Sequence, residues 1–174
     1  MISRRNFLKA LAAGFVVSPF RKTWASHVPD KKLNIHNIHT GESLKIVYCE
    51  NGVYDPQALG DINYLLRCHY TNEVKPIDLK TLDLLSNIQQ VAGRGKQTEI
   101  ISGYRSPSYN RRLKDMGRKG VSNHSLHMEG LALDINFPGM STGELFRIAK
   151  SFGSGGVGHY PDFVHIDSGR VRYW

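Results

Sequence analysis

His124-Ser-Leu-His127-Met-Glu-Gly130-Leu-Ala132-Leu-Asp134, followed downstream by Phe163-Val-His165-Ile-Asp167, is the stretch around which this chain is organised. Two imidazoles and a carboxylate so spaced can close three sides of a zinc site and leave the fourth open, as catalytic zinc requires. Residues 131–137 read as a strand, with His127 just before it and Asp134 near its end. Gly130 permits a tight turn between them, Ala132 leaves room on the inner face, and His165 would arrive on a neighbouring strand. A His, a later Asp and a distant His also recur in many structural settings, so the rest of the chain decides how the pattern is read.

Upstream, residues 33–38 and 44–49 read as a hairpin around the turn-like His39-Thr-Gly41-Glu42. Asp55-Pro56 is a helix start, and Leu59, Ile62, Leu65 and Leu66 then share a face of a helix running to about His69. A second helix begins near Asp78, and its stripe of Leu82, Leu85, Ile88 and Val91 is core. Residues 98–102 are a β-branched run that delivers Gly103-Tyr104-Arg105 at a strand end, where a rigid scaffold presents chemistry. Residues 108–116 form a short basic helix (Arg111, Arg112, Lys114), either a solvated face or a contact for an anionic polymer. Ser141-Thr-Gly-Glu144 is a capping box, and the glycines at 153, 155, 156 and 158 lead into two short strands near 157–160 and 163–167. Helices gathered ahead of a mostly antiparallel sheet make the fold class α+β.

At 174 residues the chain is one domain's worth. Its net charge of +8 suggests nucleic acid until the charges are located. Of 23 Lys and Arg, Arg4, Arg5, Lys9, Arg21 and Lys22 fall in residues 1–25, which hold no Asp or Glu; the remaining 18 face 15 acidic residues, a net +3. Nucleic-acid binding therefore loses its basis. Arg4-Arg5 before a short, weakly apolar run ending at Trp24-Ala25 resembles a twin-arginine signal, so residues 1–25 are read as export signal and 26–174 as the periplasmic domain. The apolar run is too short to remain as a membrane span. An ordinary secretory signal or an anchor is the alternative. Cys49 and Cys68 are read as core thiols, with a disulfide as the alternative.

Ser125-x-His127-x-x-Gly130-x-Ala132-x-Asp134, with Ser102-Gly-Tyr-Arg105-Ser upstream and Phe163-Val-His165-Ile-Asp167 downstream, resembles the zinc murein peptidases of the D-Ala-D-Ala carboxypeptidase family. The hedgehog/D,D-peptidase fold goes with that family. The likeness is greatest to its exported murein endopeptidase K branch, and includes His39-Thr-Gly-Glu-Ser43, Gly155-Gly-Val-Gly158 and Arg172-Tyr-Trp174. The resemblance implies that His127, Asp134 and His165 bind one Zn²⁺, which polarises a peptide carbonyl and acidifies water. It gives Arg105 a substrate carboxylate or the oxyanion, with a structural salt bridge as the alternative.

Asp162, three positions before His165, matches the place of the family's general base. Strand alternation would turn it away from His165 unless Pro161-Asp162 is a turn, and puts Asp167 on the ligand's face as an orienting residue or alternative base. Glu129 ranks behind both. His124 and His159 match no ligand position, although His159 lines the cleft in one reading; Tyr104 and Tyr160 are candidate walls. The implied protein is a monomeric periplasmic enzyme that cleaves peptidoglycan cross-links. Its rivals are a non-catalytic murein-binding protein and a D,D- or L,D-carboxypeptidase.

Overall fold

The computed structural model describes residues 28–93, 96–118 and 120–174, so the expected signal at residues 1–25 lies outside the described residues. β1 (Lys31–Asn37) and β2 (Ser43–Glu50) form the expected antiparallel hairpin, extended by β3 (Val53–Tyr54). α1 (Pro56–Leu65) and α2 (Leu79–Ala92) follow, then β4 (Thr98–Ser102) and α3 (Pro107–Asp115). A 3-10 turn (Leu126–Glu129) precedes β5 (Ala132–Asn136), and α4 (Thr142–Ser151), β6 (Gly156–His159), β7 (Val164–Asp167) and β8 (Arg172–Tyr173) complete the order.

Local chemistry accounts for the helix starts. Asp55, Asp78, Ser106 and Ser141 each accept a hydrogen bond from a backbone N–H of the first turn they cap. α1 stops short of His69. Cys68 N–H donates to Glu73 O at 3.0 Å, and Cys68 O accepts from Asn72 N–H at 2.7 Å, so a closed turn takes the groups a longer helix would use.

The strands form one sheet in the order β3-β2-β1-β4-β5-β7-β6-β8. It is mixed, which corrects the expectation of a mostly antiparallel sheet: β4 runs parallel to β1 and β8 parallel to β6. The chain leaves the sheet at β3, passes through both helices and re-enters beyond β1, and a crossover of that kind returns its strand parallel. Gln89 of α2 ties that junction, donating from Nε2 to Asn34 O and to Thr98 Oγ1 at 2.6 Å each.

Leu33, Ile35, Ile100, Leu133 and Ile135 of the strands pack with Ile62, Leu82, Leu85 and Ile88 of the helices in one core. Cys49 and Cys68 are free and buried, as thiols of that core. Along β5 and β7 the core residues Leu133, Ile135, Val164 and Ile166 alternate with Ala132, Asp134, His165 and Asp167. Alternation therefore dedicates one face of these strands to packing and the other to chemistry. Among the described residues no helix is long and apolar enough to cross a membrane.

Candidate metal centre

Register assembles the chemical face. Asp134 of β5 lies opposite His165 of β7, and Ala132 opposite Asp167; on the other side of β7, Gly158 faces His165 and Gly156 faces Asp167. Each bulky polar residue thus has a small neighbour. A Cβ on Gly156 would sit 2.4 Å from Asp167 Oδ2, and one on Gly158 would sit 2.6 Å from the Trp174 ring. The Gly-rich segment makes room for a carboxylate and an indole.

His127 comes from the 3-10 turn. Gly130 ends that turn in the left-handed region, at φ 72°, against Pro76 O, where a Cβ would come within 2.3 Å. His127 Nδ1 lies 2.9 Å from Gly103 O, a group that only accepts, so Nδ1 carries the hydrogen and Nε2 presents a lone pair. His165 is fixed the same way: Nε2 lies 3.1 Å from Asp167 Oδ2, and Nδ1 is turned inward. Inside, His127 Nε2 to Asp134 Oδ1 is 3.2 Å, His127 Nε2 to His165 Nδ1 is 3.3 Å, and His165 Nδ1 to Asp134 Oδ1 is 2.8 Å.

Three electron-pair donors on one point suit a cation. Tetrahedral zinc with bonds of ~2.0–2.1 Å has ligand-to-ligand edges of about 3.3 Å, so the observed triangle fits zinc with little adjustment. Burial works against charge on Asp134, yet His127 and His165 outweigh it and hold its carboxyl well below the usual range. Burial likewise opposes a proton on His165, but the hydrogen bonds to Asp134 and Asp167 prevail and raise its pKa.

Asp167 is fully buried, and both its oxygens are engaged. Oδ1 accepts from Gly156 N–H, Gly169 N–H and Arg172 Nη1, and Oδ2 from His165 Nε2 and Arg172 Nη2. Burial pushes its pKa up, but these five donors dominate and bring it down to about 2. The saturated carboxylate orients His165. Arg105 donates from Nη2 to Ser102 Oγ at 3.1 Å and to Asp134 Oδ2 at 3.4 Å, while its buried Nε has no partner.

The cluster opens into a cleft of about 260 Å³ whose walls include Arg105, His124, Tyr160, Phe163, Arg172 and Trp174. The fold thus brings together His127, Asp134, His165, Arg105 and Asp167. Asp162 is exposed on the bend ahead of β7 and outside the cleft lining. Glu129 pairs with Lys75 at 3.3 Å, and His159 reaches Thr142 Oγ1 at 3.1 Å, both away from the cleft. Tyr104 is buried in the core, whereas Tyr160 and His124 do line the cleft. In the sequence, Arg172 and Trp174 stand out only within the Arg172-Tyr-Trp174 motif of the family resemblance, which gives neither a role of its own.

Residues 25–174 match the family model described as peptidoglycan L,D-endopeptidase MepK. The chain is 36% identical over 167 residues to the peptidoglycan L,D-endopeptidase MepK of Escherichia coli K12, covering 95% of this chain and 91% of that protein. It is 37% identical over 145 residues to the probable peptidoglycan L,D-endopeptidase MepK of Haemophilus influenzae, covering 82% and 77%. With nearly the whole described domain matched, the chain belongs to the peptidoglycan L,D-endopeptidase MepK family.

Proposed function

We propose that this enzyme is a zinc-dependent murein endopeptidase that hydrolyses the peptide cross-links of peptidoglycan in cell-wall remodelling. The observation that carries the reading is the convergence of His127 Nε2, His165 Nδ1 and Asp134 Oδ1 with both outer ring nitrogens already spent. The L,D designation of its relatives favours a bond from an L-centre to a D-centre. A meso-diaminopimelate to meso-diaminopimelate link is such a bond; a D-Ala to diaminopimelate link joins two D-centres and ranks second.

Zinc held by the three side chains supplies a Lewis acid for the peptide carbonyl and lowers the pKa of water for attack. The chain's own groups do the rest. Gly103 and Asp167 keep the two rings turned so that their lone pairs face inward. Arg105, on the cleft wall beside Asp134, holds a substrate carboxylate or the carbonyl oxygen. Among the described residues Asp134 is the one carboxylate lining the cleft, so the proton-carrying role that the sequence suggests for Asp162 requires its bend to fold inward. Asp162→Asn tests that role, and an unchanged kcat removes it.

The complete ligand set favours turnover over a non-catalytic binding protein. Muropeptides of defined cross-linkage, incubated with the purified protein plus zinc, plus chelator, or as His165→Ala, decide between them. Uncrosslinked products with zinc alone are expected. No cleavage by the zinc-loaded wild type would sink the reading, and release of only terminal D-Ala would make it a carboxypeptidase. The monomeric protein is assigned to the periplasm through twin-arginine export, so a reporter fused to residues 1–30 should lose export with Arg4→Lys and Arg5→Lys together.

A further inference from the structure

Among the hydroxyls lining the cleft, that of Tyr160 is held by an aromatic neighbour and still has its hydrogen to give. Trp174 Nε1–H donates to Tyr160 Oη at 3.0 Å. An indole N–H only donates, so the phenol oxygen is the acceptor and its own hydrogen remains. That hydrogen has no acceptor among the described residues, and Tyr160 lines the cleft with the metal ligands.

Both rings are fixed. Tyr160 stacks on Phe163 with centroids 4.5 Å apart and planes 15° apart, and its N–H donates to Phe163 O at 3.1 Å. Trp174 is held by its backbone, which accepts from His159 N–H at 2.8 Å and donates to Val157 O at 3.3 Å. The Arg172 guanidinium lies 4.9 Å from its ring centroid, and the absence of a side chain at Gly158 gives the ring its space. The indole centroid is 5.5 Å from that of His165, so one aromatic wall joins the hydroxyl to a metal ligand.

The other donors on the wall are less suited. Arg172 is anchored away from the ligands, with Nη1 donating to Asp167 Oδ1 and Arg170 O and Nη2 to Asp167 Oδ2. His124 is exposed, and among the described residues no hydrogen bond or ring contact holds its imidazole. A donor aimed in advance at developing charge is worth most when it need not reorganise.

We infer that Tyr160 is a catalytic residue whose hydroxyl donates a hydrogen bond to the scissile carbonyl oxygen as negative charge develops there, with Trp174 as its positioning residue. No proton changes hands in this role: the hydroxyl donates a hydrogen bond and keeps its hydrogen. Arg105 is then left to the substrate's carboxylate. The inference rests on the peptidase reading above.

Tyr160→Phe removes one oxygen and leaves the stack on Phe163. The expected result is a kcat lower by about 10²-fold, with KM and zinc affinity by chelator competition within about threefold of wild type. A readout without turnover is calorimetric binding of a phosphinic analogue of the cross-link, whose tetrahedral oxyanion should lose a comparable factor of about 10² in affinity. Trp174→Phe keeps the ring and removes the N–H, and should lower kcat by about tenfold without moving KM.

A Tyr160→Phe enzyme with kcat and analogue affinity unchanged would overturn the inference, as would one altered in KM alone. A His124→Ala enzyme that loses kcat about 10²-fold while Tyr160→Phe keeps it would move the role to the imidazole. Wild-type protein that neither cleaves a cross-link nor binds the analogue would overturn the peptidase reading itself, a result distinct from an active wild type indifferent to Tyr160.

Discussion

Asp167 accepts the Nε2–H of His165 at 3.1 Å and thereby decides which nitrogen of that ring faces Asp134. Asn at this position offers one acceptor where five donors converge and would set its own N–H groups against backbone amides or Arg172. Asp167→Asn should therefore weaken zinc binding by about 10–100-fold. Competition with a chromophoric chelator measures this, and an unchanged affinity would remove Asp167 from the orienting role.

The same carboxylate makes stability depend on acid. Its folded pKa of about 2 lies below the unfolded value of ~3.9, so its contribution is present above pH ~4 and is lost as pH falls through about 2. The contribution is on the order of 2 kcal/mol. Asp134, also held low, adds to the loss with the same sign. Urea unfolding of metal-free protein at pH 5 and near pH 2 should show a smaller difference for Asp167→Asn than for wild type; equal differences would contradict the assignment.

Metal binding should weaken as pH falls below the raised pKa of His165. Carboxylates on both sides raise the pKa of His165 in the metal-free chain, so a proton competes for the nitrogen that zinc needs. Calorimetry in buffers of different ionisation heat should reveal proton release on zinc binding below the raised pKa and little above it.

Gly158→Ala places a methyl 2.6 Å from the Trp174 ring, and the indole must move because the strand cannot. Because Trp174 is half exposed and can swing outward, the cost is at the low end of overpacking, about 1 kcal/mol. A lower melting temperature together with changed tryptophan emission is expected, and a native emission spectrum would mean that Trp174 does not depend on this glycine.

Cys49 and Cys68 are separate buried thiols. Reductant should leave the melting temperature unchanged, and a thiol reagent added after unfolding should titrate both. A shift of several degrees on reduction would indicate a disulfide instead.

Much of the site was legible because its signals are local. The helix starts at Asp55, Asp78 and Ser141 act within one turn, and β5 and β7 announce themselves by alternation, whereas the Ser106 cap of α3 was not read from the sequence. The short strands at Val53–Tyr54 and Arg172–Tyr173 gave no such signal, since two residues have no periodicity. The parallel pairing of β1 with β4 was illegible for a different reason: it depends on where a long crossover returns to the sheet.

What the sequence alone determined was the identity of the candidate ligands, because His127, Asp134 and His165 stand in a recognisable pattern whose spacing survives any reading of the loops. Only the tertiary structure decided their company. It saturated Asp167 with five donors, left Asp162 exposed on its bend, and drew Trp174 across Gly158 to hold Tyr160 at the cleft. Those outcomes follow from register and close packing between residues distant in the chain, and no local sequence signal carries either.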